Sequence, residues 1–176
     1  IEHEIQTLAP SLRFTLDEHV QLIRFTPLLA MIWADREQQA EEMMLFRSFV
    51  GRFAINWLPG LPEHEALEFF APYLQDSISD AQHAELIRLF HYLVNHFEHS
   101  LTEDRKFDLY RLCQDIASAS RSAKHSALGL DEGTETCISA EEQVLLLEMI
   151  HALHLHPEVK HSLFAARSAK LFALRG

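Results

Sequence analysis

With 176 residues, 48% of them hydrophobic, the chain is long enough to bury a core of its own and about the length of one domain. Five glycines and six prolines are too few to turn the many short strands of a sandwich or barrel, so an all-α fold is expected. A formal charge of -11 opposes nucleic-acid backbones and anionic membrane surfaces, and it favours cations or a basic protein surface as partners.

The cysteines, Cys113 and Cys137, form no Cys-x-x-Cys pair and no disulfide framework, which fits reduced thiols in a cytoplasmic protein. No stretch approaches the roughly 18 to 20 consecutive apolar residues of a membrane span, and no signal-peptide pattern opens the chain.

In chain order, a short opening ends at Pro10 and Ser11, and Thr15-Leu-Asp-Glu18 then reads as a capping box that starts a helix. Leu22, Phe25, Leu29 and Ile32 or Trp33 continue it as one apolar stripe, kinked or split at Pro27. From Glu37 to Trp57 a long helix is predicted, with Phe46, Phe49, Val50, Phe53 and Trp57 on one face. Leu58-Pro-Gly-Leu-Pro62 ends it, because Gly60 suits a left-handed turn and the prolines cannot continue the ladder.

A short helix from Glu63 to Phe70 precedes Ser79-Asp-Ala-Gln82, a second capping box, which opens a long helix carrying Leu86, Phe90, Leu93, Val94 and Phe97. Thr102 to about Ala119 repeats the pattern with Phe107, Tyr110, Leu112, Cys113 and Ile116. Ser120 to Thr136 loses the register and reads as a mobile loop, with at most a weak helical turn near Lys124 to Leu128. Ser139-Ala-Glu-Glu142 is a third box, and Pro157 is placed to open a last helix. The expectation is a single bundle, residues 1–176, of about seven or eight helices.

Two windows look alike. Leu28 to Asp35 leads into Ala40-Glu-Glu-Met-Met-Leu-Phe46, and Leu112 to Ala119 leads, across the long loop, into Ala140-Glu-Glu-Gln-Val-Leu-Leu146. Each reads as a helix, an acidic elbow and a second helix that starts with Ala-Glu-Glu, giving pseudo-repeats over roughly 20–57 and 105–165. With Ala34-Asp35 before Glu41-Glu42, and Ile138-Ser-Ala-Glu-Glu142 before Leu153-His-Leu155, the chain resembles the TerB-like family of bacterial tellurite-resistance and stress-response proteins. The resemblance implies a non-enzymatic intracellular module that chelates metal through elbow acids, here Asp35, Glu41, Glu42, Glu135 and Glu142. Arg36 stands where that family carries Gly after the elbow Asp, and Glu135 stands in place of the second Asp.

Carboxylates gathered at a helix start are hard ligands suited to Ca²⁺ or Mg²⁺. The same acids also suit helix chemistry, as caps and as negative charge at the positive end of the dipole. On a continuous helix Asp35 and Glu42 lie about 10 Å apart, so a shared ion requires a bent elbow.

Twelve histidines are many for this length. Glu148-x-x-His151, with His154 and His156 beyond it, and Glu158-x-x-His161 repeat the Glu-x-x-His spacing that holds di-iron in ferritin-like bundles, which is the enzymatic alternative. His91, Asn95, His96 and His99 read as a polar helix face near a helix end, with a loose soft-metal site as the alternative. No Gly-x-Ser-x-Gly elbow and no Gly-rich phosphate loop occurs. The functional expectation is therefore a binding module with a divalent metal, a protein partner or a second copy as its occupant, and a plain interaction scaffold as the third reading.

Overall fold

A computed structural model describes residues 2–37, 40–128 and 138–155. Among these the chain is all helical with no strand: α1 (Glu2–Leu8), α2 (His19–Leu22), α3 (Thr26–Ile32), α4 (Ala40–Trp57), α5 (Glu63–Phe69), α6 (Asp80–Ser100), α7 (Glu103–Leu128) and α8 (Ala140–Ala152). Short 3₁₀ turns at Ile23–Phe25 and Ala71–Tyr73 complete the set.

The centre of the bundle is α3. Every one of its residues from Thr26 to Ile32 is buried, which suits a segment that is apolar around its whole circumference and not on one stripe. It packs most heavily on α6 and α7, and α4 closes a further side. Pro27 sits in the first turn of α3, where its missing N–H costs no hydrogen bond, so it separates the helix from the 3₁₀ turn before it. Around this axis α4 packs on α5 and α7, α8 on α7 and α6, and α1 on α6.

The core face of α4 is Met43, Phe46, Val50 and Ala54, with Phe49 and Phe53 half-buried beside it. Trp57, expected on that face, is 67% exposed as the last residue of the helix. Gly60 takes φ 106° in the following turn, the left-handed backbone expected of it. An edge-to-face contact at 5.3 Å joins Phe46 of α4 to Phe70, the residue that ends α5, and Phe70 meets Phe69 beside it in the same geometry at 4.8 Å.

A polar thread runs through this apolar centre. The Trp33 indole donates to the Tyr73 carbonyl at 3.0 Å, and the Tyr73 hydroxyl donates to Glu85 Oε2 at 2.9 Å. The Ser11 amide reaches the same Glu85 oxygen at 3.4 Å. Burial first, and then the Glu85 carboxylate, push the Tyr73 phenol well above its ordinary range.

Two of the three boxes form as expected. Ser79 Oγ caps the Gln82 amide while the Gln82 side chain takes the Ser79 amide, and Ser139 and Glu142 do the same at α8. Thr15 caps nothing: its amide donates to His19 Nδ1 at 3.2 Å, and α2 begins at His19 with no side-chain cap. His19 is buried against Phe69, so its ring takes the amide that the box would have offered to Glu18.

The opening segment is helical, with Ile5 fully buried. The expected loop from Ser120 is helix as far as Leu128. Its small polar residues lower helix propensity, but no Gly or Pro interrupts the sequence before Gly129, so nothing breaks the ladder. Leu112 to Ala119 thus lies inside one long helix, and the second elbow, with the expected helix after Pro157, falls outside the described residues. Among the described residues no helix is long and apolar enough to cross a membrane.

Candidate functional site

The acidic elbow follows α3. Asp35 lies half-buried in the turn after α3, and its Oδ1 accepts the Glu37 amide at 2.9 Å. Arg36 holds a left-handed backbone with φ 64°, and its guanidinium pairs with Asp80 at 2.5 Å. Glu41 is half-buried in the first turn of α4, and Glu42 beside it is buried. Glu142 is buried too, and its carboxylate accepts the Ser139 amide at 2.6 Å, which is the capping role its position suggests. Glu135 lies outside the described residues. Among the described residues no three His, Cys, Asp or Glu side chains stand close enough together to hold a metal ion.

His91 of α6 and His154, just beyond the end of α8, meet carboxylates across the helix pair. His91 Nδ1 contacts Glu148, and His154 Nε2 lies 2.9 Å from Glu98, so two His–Glu contacts join these helices. Glu148 is therefore engaged by α6, while His151 on its own helix is exposed. His156, Glu158 and His161 lie outside the described residues.

Open clefts mark the surface of the described residues. One, of about 760 Å³, lies between the segment before α2 and helix α5, lined by Arg13, His19, His64, Glu65 and Glu68. Charges of both signs line it, Arg13 beside Glu65 and Glu68.

The second cleft, of about 620 Å³, is different in kind. It lies where the 3₁₀ turn before α3, the end of α4 and the first turns of α7 meet, with Phe25, Phe53, Trp57, Leu109 and Leu112 among its walls. Such a size and apolar lining suit a drug-sized molecule. Arg24 and Arg105 stand in the same cleft, and among the described residues neither makes an ion pair.

Arg24 is held in place. Its Nε donates to the Gln21 carbonyl at 2.9 Å, its Nη2 to Gln21 Oε1 at 2.5 Å, and its guanidinium lies 5.0 Å over the Phe53 ring. Burial, and then the like charge of Arg105, hold its pKa below the usual arginine range. Two arginines and one carboxylate, Asp108, thus line this cleft, which leaves it an excess of positive charge in a chain that is acidic overall. Nothing in the sequence marks this pair, because Arg24 lies on the 3₁₀ turn before α3 and Arg105 on α7, and only the fold brings the two to one cleft.

No protein-family model matches this chain, and no curated protein or solved structure matches it.

Proposed function

We propose that this chain is a non-enzymatic binding module that takes a small, largely apolar ligand in the cleft between the 3₁₀ turn Ile23–Phe25, the end of α4 and the start of α7. The observation that carries this reading is Trp57, a large aromatic side chain 67% exposed at the mouth of a cleft whose other walls are Phe25, Phe53 and leucines. An apolar wall left open to water is stabilised by whatever covers it.

Cys113 offers no competing chemistry, since it is fully buried and burial pushes its thiol far above the range in which a thiolate forms. The resemblance to the TerB-like family supports a binding role, and the left-handed backbone of Arg36 supports the resemblance, because that is where the family carries Gly.

The test is a fragment screen read by saturation-transfer NMR on the parent and on Trp57→Ala. Trp57 is exposed, so its truncation leaves the core intact, and fragments that bind the cleft lose their signal in the variant at an unchanged melting temperature. A screen whose hits bind parent and variant alike places the ligand elsewhere and sinks the reading.

A further inference from the structure

We propose that the ligand of this cleft is an amphipathic carboxylate, with its head between Arg24 and Arg105 and its apolar body on Phe53, Trp57 and Leu112. The inference rests on the cleft reading and adds to it the charge and shape of the occupant.

The first argument is an excess of positive charge, two arginines against the single carboxylate of Asp108, which makes no ion pair with either among the described residues. The chain carries 26 acidic and 15 basic residues, so carboxylates are the commoner neighbour for any arginine. Yet two guanidiniums share one cleft with no carboxylate paired to either among the described residues. An anion entering between them relieves their repulsion and gains charge-assisted hydrogen bonds in a site partly shielded from water.

The second argument is preorganisation. Gln21 and the Phe53 ring fix the Arg24 guanidinium, and among the described residues its Nη1 makes no hydrogen bond. A planar head group accepting from Nη1 meets a donor that has already lost its rotamer freedom. Arg105 lies in the first turn of α7, where the positive end of a long helix adds to the same field.

Asp108 decides between a monoanion and a more highly charged head. It lines the same cleft one turn beyond Arg105, and the chain as a whole is at -11, so a second negative charge on the ligand is repelled at close range and at long range. A carboxylate fits that balance better than a phosphate or a nucleic-acid backbone.

The experiment follows the two tryptophan indole N–H signals of the ¹⁵N-labelled full chain during titration with octanoate and, separately, with 1-octanol. Trp33 donates its indole hydrogen to Tyr73 inside the core, and Trp57 lies at the cleft, so the two signals report core and site independently. Octanoate is expected to move the Trp57 signal and leave Trp33 in place, with 1-octanol binding at least tenfold more weakly. Arg105→Gln, at an exposed position, is expected to weaken octanoate at least tenfold without altering 1-octanol, and Arg24→Gln to do the same. Equal binding of the acid and the alcohol, or full octanoate affinity in both arginine variants, overturns the carboxylate inference and leaves the apolar cleft standing. A Trp57 signal unmoved by either ligand at millimolar concentration overturns both.

Discussion

Arg36 turns left-handed, with φ 64°, and its guanidinium meets Asp80 at 2.5 Å, tying the turn after α3 to the first residue of α6. A non-glycine residue in that region costs roughly 1 kcal/mol or more through the crowding of its Cβ. The ion pair does little to offset it, since both side chains are largely exposed and such pairs contribute about 0–1 kcal/mol. Arg36→Gly is therefore expected to be more stable than Arg36→Ala by about 1 kcal/mol, and close to the parent. Urea denaturation measures the difference, and equal midpoints for the two variants would remove the backbone argument.

The capping boxes separate what is legible in a sequence from what is not. Ser79 with Gln82 and Ser139 with Glu142 formed as read, because a box needs only its own four residues. Thr15 with Glu18 has the same local pattern and failed, because His19 is drawn into the core against Phe69 and takes the Thr15 amide. Ser79→Ala and Ser139→Ala are expected to cost about 1 kcal/mol each and Thr15→Ala almost nothing. Thermal melts of the three single variants decide it, and a loss at Thr15 equal to the other two contradicts the account.

The cleft was invisible for a related reason. Helical spacing identifies which residues face inward along one element, and it found Phe46, Val50, Leu86, Phe90 and Leu93. It says nothing about which ends of which helices meet, so Arg24 and Arg105 carry no signal and Trp57 reads as one more residue of the apolar face of α4. Asp35 and Glu142 stand out in the sequence because acids cluster around them, and both accept backbone amides, Asp35 in the turn after α3 and Glu142 in the first turn of α8.

Two buried tyrosines make opposite predictions. Tyr110 keeps its hydroxyl buried with no hydrogen-bond partner among the described residues, and burial pushes its pKa up to about 12. Removing that oxygen costs no bond, so Tyr110→Phe is expected to leave stability unchanged or to raise it by up to about 1 kcal/mol. Tyr73→Phe strands the buried Glu85 carboxylate with only the long contact from Ser11, and is expected to lose about 1–3 kcal/mol. Chemical denaturation of the pair in parallel is the check, and a destabilised Tyr110→Phe would show that its hydroxyl is satisfied.

The acidic elbow is tested by calcium. A hard cation takes six to eight oxygens, and the elbow offers few: one Asp35 oxygen accepts the Glu37 amide, and no three acidic or imidazole side chains converge among the described residues. The parent is therefore expected to melt at the same temperature in millimolar Ca²⁺ or Mg²⁺ as in sodium chloride of matched ionic strength. Metal chelation by Asp35, Glu41 and Glu42 makes the contrary forecast. A ligand that binds only the folded chain adds about 2.7 kcal/mol at a hundredfold excess over its Kd, which for a chain of this length is about five degrees or more. If such a rise occurs and disappears in Asp35→Asn with Glu42→Gln, the elbow is a metal site and the turn at Arg36 serves to build it. A rise that survives the double substitution assigns the ion to other acids. In the absence of a rise, the elbow acids serve the start of α4 alone, as negative charge at the positive end of its dipole.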